Sequence, residues 1–369
     1  MNLIKNIFLQ FLISILLLIA IEYIISLIYK NSKLSPLENF ILSVPEPFKN
    51  DENFHIILNH FNGKCSYPAL LNIDGISKYA KDFSCSGVTY QDEKRVTLPS
   101  IDDYKKTIHL FGGSTVWGTG STDENTIPSL LSLKLENQKI RVLNYGFASY
   151  VSSQQNNLLK AKIKDFKEGD IVIYYDGGND FWNGVMLGNF NGSIIGFNSK
   201  NRIDVYVYII RNWLSKNSST YNLLSDLKNG RNSKTSLNCS VNSEYAESNI
   251  LSAAQHYANQ IAFAKSYNES KGMKFYHFLQ PTLFDVDKLN NYEQMLLSQN
   301  PCWAKAREHK EKYDQEFLSL SPSTIDLSEV FNNKNFFFDY IHVSAKGNRN
   351  IVNYIYENIH IHVYKTNLN

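Results

Sequence analysis

Apolar positions along this chain form one long run and then a rhythm of short ones. The long run, residues 7–29, is rich in Ile and Leu and carries a single charge, Glu22. At about 1.5 Å of rise per helical residue it reaches across a bilayer core of about 30 Å. It is apolar all round, and no small-x-small pair follows it. An uncleaved membrane anchor is therefore expected over a cleaved leader or a buried amphipathic helix. Lys5 on one side and Lys30 and Lys33 on the other barely decide its orientation. Residues 31–100 then mix Pro, Asn, Lys and Asp with short apolar stretches, as a spacer and small cap would.

From Lys105 the rhythm changes. Short apolar runs at 107–111, 140–146, 170–176, 273–279 and 324–327 predict five strands. Segments 127–135, 154–166, 248–267 and 345–358, with one more carrying Trp303 and Tyr313, predict the helices between and after them. Strands and helices alternating at this spacing give βαβ units and a parallel sheet covered on both faces. The near-continuous apolar run 170–176 suits its centre. Residues 183–244, rich in Asn and Ser, interrupt the rhythm as an insertion too long for a simple βα loop. Within it, 206–214 could form a helix or a strand. An insertion at that place is expected to wall a pocket. The organisation read this way is an anchor over 1–33, a spacer and cap over 34–104, and an α/β domain over 105–369.

Composition changes this picture little. With 43% hydrophobic and 20% charged residues the chain is globular in character, and a net charge of +2 offers no general attraction to nucleic acid. Cys65, Cys85, Cys239 and Cys302 all follow the apolar run. None forms C-x-x-C or has the histidine spacing of a zinc site, so no metal is expected. Two disulfides would suit an oxidising compartment, Cys65–Cys85 and Cys239–Cys302 being one of three connectivities, and four separate thiols are the alternative. An extracytoplasmic domain is the placement these features favour.

The chemistry collects at strand ends. The first strand runs into Gly112-Gly113-Ser114, where two glycines free the backbone to turn and present a hydroxyl beside exposed N–H groups. The second ends at Gly146, and the third runs into Gly178-Asn179-Asp180. In a parallel sheet all three open on one edge, so the N–H groups of Ser114 and Gly146 and the Asn179 amide can converge as donors to an oxyanion. Near the C-terminus Asp339 and His342 lie three apart before a helix, so a tight loop can join carboxylate and imidazole. His342 would then take the Ser114 proton, in the chain order Ser, Asp, His. Each piece has a plainer reading as a helix cap, turn glycine or surface histidine. His109 and His277, inside predicted strands, read as core histidines; Asp102-Asp103 and Asp123-Glu124 read as solvated loops and helix starts. A phosphate loop fails at Thr119, where lysine is required, and the G-x-S-x-G elbow fails at Val116.

Together, Gly112-Gly113-Ser114, Gly146, Gly178-Asn179 and Asp339-x-x-His342 resemble the four ordered sequence blocks of the SGNH, or GDSL-type, hydrolases. The resemblance covers residues 105–359 and departs at one point: the family's Gly-Asp-Ser reads Gly-Gly-Ser here. It implies a three-layer α/β/α, flavodoxin-like fold. By the same match Ser114 is the nucleophile, His342 the base and Asp339 its orienter, with Ser114, Gly146 and Asn179 forming the oxyanion hole and no cofactor needed. The implied activity is hydrolysis of an O-acyl ester, with an O-acetyl group on an envelope or exported glycan as the leading substrate. An O-acyltransferase using the same residues and a non-catalytic glycan-binding assembly protein are the alternatives.

Overall fold

In the computed structural model the described residues are 14, 17, 20–26, 68, 70–73, 75–192, 197–198, 218, 220, 243–299, 301–331 and 336–365. The chain divides into two units, Met1–Val44 with Phe197–Ser236 and Pro45–Gly196 with Leu237–Asn369.

The first element described in the larger unit is a hairpin, β1 (Leu70–Ile73) and β2 (Ile76–Tyr79), which turns through Gly75 at a φ of 81° that favours glycine. An antiparallel meander follows: β3 (Phe83–Cys85), β4 (Val88–Gln91) and β5 (Lys94–Arg95). The chain then alternates. First come β6 (Lys106–Gly112), α1 (Ser114–Trp117), α2 (Ile127–Leu135), β7 (Ile140–Gly146) and α3 (Ser152–Lys162). Next are β8 (Ile171–Asp176), α4 (Gly178–Phe181) with one π-helical turn over Trp182–Met186, α5 (Ser243–Glu269) and β9 (Lys274–Leu279). The unit closes with α6 (Asn291–Gln299), α7 (Pro301–Leu320), β10 (Ile325–Asp326) and α8 (Ala345–Lys365).

Eight of these strands share one sheet in the order β10-β9-β8-β6-β7-β5-β4-β3. The pairings from β10 to β7 are all parallel. Counted in chain order from β7 outward, those five strands run 2-1-3-4-5, the flavodoxin-like doubly wound order. Every residue of β8 is buried, as a central strand covered on both faces requires. Helix α2 packs with α8, and α5 packs with both α3 and α7, so helices cover the sheet.

Three details differ from the sequence reading. Residues 83–95 continue the main sheet, because β5 pairs antiparallel with β7 through Arg95 and Asn144. They are short and carry no apolar run that would announce a strand. Asp123 is not solvated: it is 5% exposed, and its carboxylate meets the buried Arg95 guanidinium at 2.9 Å. Helix α5 starts at Ser243 rather than near 248, since the fully buried Ala246 extends its apolar stripe into the core.

Cys85 and Cys302 are both disulfide-bonded. Cys65 and Cys239, and with them the expected pairing, lie outside the described residues. In the smaller unit, residues 20–26 are helical and Phe197–Asn198 is a two-residue strand. Glu22 accepts hydrogen bonds there from Ser218 Oγ (3.0 Å) and the Thr220 N–H (3.2 Å). Among the described residues no helix is long and apolar enough to cross a membrane. Most of the 7–29 run lies outside them, as does 206–214.

Candidate active site

Strand order reverses between β6 and β8, and a doubly wound sheet places its ligand crevice beyond the carboxyl ends of strands at such a switch point. Register fixes which loops meet there. Gly112 stands opposite both Gly146 and Tyr175, and Asp176 opposite Leu279. The loops after β6, β7, β8 and β9 therefore leave the sheet along one edge.

Ser114 is the first residue of α1. A Cβ at Gly112 would lie 2.3 Å from Val116 Cγ2 and 2.5 Å from the Tyr175 carbonyl oxygen, so only glycine lets strand and helix approach this closely. At the start of a helix the Ser114 N–H has no acceptor within the helix. At the far end, Arg95 holds the turn in place. Its Nη1 donates to the carbonyls of Trp117 (2.9 Å) and Gly118 (2.7 Å), and its Nη2 to that of Ser121 (2.5 Å).

From the other end of the chain, His342 reaches the serine. Its Nε2 lies 2.7 Å from Ser114 Oγ, and its Nδ1 lies 2.7 Å from Asp339 Oδ2. The second oxygen, Asp339 Oδ1, accepts the backbone N–H groups of Ile341 and His342 at 2.8 Å each. One carboxylate thus shapes the loop and orients the ring. Burial pulls the His342 pKa down, but the Asp339 charge and its hydrogen bond outweigh burial and hold it above the ordinary imidazole value. Burial likewise pushes Asp339 up. The charge and hydrogen bond of His342 and the two backbone N–H bonds outweigh it, leaving its pKa below the usual carboxylate value.

Asn179 is placed against Gly113, the residue before the serine, by a missing side chain. A Cβ at Gly113 would lie 2.5 Å from Asn179 Nδ2, so the amide occupies the space that a side chain would take. One amide N–H donates to the Tyr150 carbonyl at 3.0 Å. The other remains for a ligand, since a primary amide carries two.

Gly146 is not placed as the sequence reading expected. Its N–H already donates to Asn144 Oδ1 at 2.9 Å. A Cβ on it would lie 2.3 Å from the Trp117 nitrogen and 2.6 Å from the Val116 carbonyl carbon, so glycine serves close packing of β7 against α1. The exposed residue of that loop is three positions on, at Ser149, whose φ is 58°. A non-glycine in this left-handed region is uncommon, and its serine identity gives no sequence signal of the turn.

His109 and His277 are both core residues. His109 Nε2 meets Asp170 Oδ2 at 3.1 Å near the opposite sheet edge, with its ring stacked on Phe166. His277 Nε2 lies 3.0 Å from Asp176 Oδ1 and 2.8 Å from the Tyr257 hydroxyl. Among the described residues no group of His, Cys, Asp or Glu could hold a metal ion.

No protein-family model matches the chain, and no curated protein matches it. Solved structures are similar to it. One is a carbohydrate acetylesterase from Sinorhizobium meliloti, at 10% identity and a TM-score of 0.39 over 70% of this chain and 99% of that one. Another is an acetyl xylan esterase, at 11% identity and a TM-score of 0.38 over 69% and 99%. A third, a member of the lipolytic G-D-S-L family from Veillonella parvula, gives 10% and 0.34 over 67% and 94%.

Proposed function

We propose that this chain is an SGNH-type serine esterase that cleaves O-acyl esters, with an O-acetyl group on an envelope or exported glycan as its substrate. The observation that carries the reading is the unbroken line from Ser114 Oγ through His342 to Asp339, with 2.7 Å at each contact, at the switch point of a doubly wound sheet. His342 Nε2 takes the hydroxyl proton as Ser114 Oγ attacks the ester carbonyl. The resulting oxyanion lies against the Ser114 N–H, the free Asn179 N–H and the backbone N–H of Ser149, which replaces Gly146 as the third donor. Protonated His342 then passes its proton to the departing alcohol oxygen, leaving an acyl-Ser114 ester. Water, deprotonated by the same Nε2, hydrolyses that ester and restores the serine.

Asp339 keeps the Nδ1 proton in place throughout, so that Nε2 is the basic atom. The test is turnover of p-nitrophenyl acetate and of acetylated glycans by the full chain. Ser114→Ala should lower kcat by about 10⁴-fold or more without changing the fold. Wild-type turnover by Ser114→Ala would refute the proposal. Acylated glycan in place of free acid, when acceptor sugars are added, would mark a transferase.

Placement is inferred separately. The apolar run at 7–29, the exposed Leu17 and Ile24 within it, and the disulfide-bonded Cys85 and Cys302 all favour a membrane-anchored protein with its catalytic domain outside the cytoplasm. Protease added to spheroplasts should digest that domain, and its survival would overturn the placement.

A further inference from the structure

Asp180 follows Asn179 directly and is 7% exposed, yet its carboxylate bonds to Ser152 rather than to Ser114 or His342. Its carboxylate faces Ser152, the first residue of α3. Oδ1 accepts the Ser152 hydroxyl at 2.5 Å and the Ser152 N–H at 3.0 Å, and Oδ2 lies 3.2 Å from the same N–H. Two residues earlier in that loop, the Tyr150 carbonyl accepts the Asn179 amide. Two successive side chains of α4 therefore grip the segment that follows β7 at two points, on either side of Val151. Ser149 sits at the free tip of that segment in a left-handed conformation, which costs of order 1 kcal/mol or more and must be held by its surroundings.

A helix start needs an acceptor for its first N–H groups, but a capping residue normally comes from the same chain segment. Here Gln154 Oε1 accepts the Val151 N–H locally at 3.1 Å, while the Ser152 N–H finds its acceptor 28 residues away, on the loop that also carries Asn179. Burial is the main reason the Asp180 carboxyl is pushed up, with the Asp176 charge adding to it and the Ser152 bonds opposing.

We propose that Asp180 is a positioning residue that sets the spacing between the Ser149 backbone and the Asn179 amide, so that both donors meet the same oxyanion. The inference rests on the esterase reading above. It does not make Asp180 a proton carrier: it acts through Ser152 and the loop. Because the spacing matters only once negative charge develops on the carbonyl oxygen, losing it should slow the chemical step and leave ground-state binding nearly unchanged.

The experiment compares Asp180→Ala, Asp180→Asn, Ser152→Ala, Asn179→Ala and the Asp180→Ala/Asn179→Ala double variant of the full chain. It uses p-nitrophenyl acetate turnover, thermal unfolding, and inhibition by phenylboronic acid, which becomes a tetrahedral anion on a serine. Asp180→Ala should lower kcat by about tenfold to a hundredfold, below the 10²- to 10³-fold typical of deleting a donor, with KM within about twofold. Phenylboronic acid should weaken in the same proportion. Asp180→Asn keeps an acceptor for Ser152 and should recover most of kcat. Asn179→Ala and the double variant should be about equal, since both lose the same geometry.

Should Asp180→Ala fail to fold, Ser152→Ala, which removes only the hydroxyl donor, should still show a several-fold loss confined to kcat. Asp180→Ala or Ser152→Ala with wild-type kcat, or a loss seen only in KM or unfolding temperature, would overturn the inference while leaving Ser114-dependent turnover intact. Absence of Ser114-dependent turnover in the wild type would sink the esterase reading, and the inference with it.

Discussion

Replacing Asp339 with asparagine separates the two tasks of that side chain, because the structure dictates which way the amide must face. Two backbone N–H groups, those of Ile341 and His342, converge on Oδ1 at 2.8 Å each. If the amide nitrogen took that place, both would lose their acceptor, at about 1–3 kcal/mol apiece when buried. The asparagine oxygen therefore stays with the loop, and Nδ2 turns its hydrogens toward His342 Nδ1, where Asp339 Oδ2 now sits at 2.7 Å. Imidazole must then accept at Nδ1 and carry its proton on Nε2, facing Ser114 Oγ. That tautomer cannot take the serine proton.

A wrongly fixed tautomer costs about 10⁴-fold in the trypsin-type Asp→Asn case, so Asp339→Asn should lose about 5 kcal/mol of transition-state stabilisation at nearly unchanged stability. The residual activity should carry a second signature. In the proposed mechanism the wild type needs neutral His342, so activity should fall on the acid side, with a midpoint above the ordinary imidazole value of about 6.5. Burial lowers that pKa, and only the Asp339 charge and hydrogen bond raise it. Removing the charge leaves burial unopposed, so the acid limb should move to lower pH. Stopped assays with p-nitrophenyl acetate from pH 5 to 9, beside thermal unfolding curves, measure both. A kcat above a tenth of wild type, or an acid limb displaced upward, would refute the reasoning.

Two further substitutions probe the supporting structure. Gly113→Ala puts a methyl 2.5 Å from Asn179 Nδ2; the amide must move, and kcat should fall by up to about 10²-fold, the range of a lost oxyanion donor, with unchanged KM. An unaltered kcat would show that the amide does not act where it now lies. Arg95→Met strips the counter-ion from Asp123 and the donors from the carbonyls of Trp117, Gly118 and Ser121. Urea unfolding should register a loss of about 3–5 kcal/mol, as for other buried pairs broken on one side, and a loss below 1 kcal/mol would contradict the anchoring role.

The parallel strands were readable because apolar runs of strand length, each closed by glycine or proline, leave few other assignments. The meeting of Ser114, His342 and Asp339 was readable for a different reason. Their spacing and order are themselves the signal, and the loop between Asp339 and His342 is too short to keep them apart. What escaped was set by long-range partners. Strand β5 is two residues long, and nothing in Lys94-Arg95 announces that the guanidinium will be buried under α1. Asp123 looks like any acidic helix start until Arg95 arrives. Gly146 attracted the oxyanion role because a glycine at a strand end is conspicuous, whereas Ser149 hides a left-handed backbone behind an ordinary side chain.

The hydrogen bond between Ser114 and His342 joins residues 228 positions apart. Ser114 is made just after the first parallel strand, and His342 follows only with the turn before the last helix. No nascent fragment ending short of His342 can complete the proton line, however well its sheet has begun to form. Closure of that line is thus a late event in assembly: molecules that hold it have brought both ends of the α/β unit together. Chains terminated before His342, even with the Ser114 loop folded, would leave the serine hydroxyl without its imidazole partner.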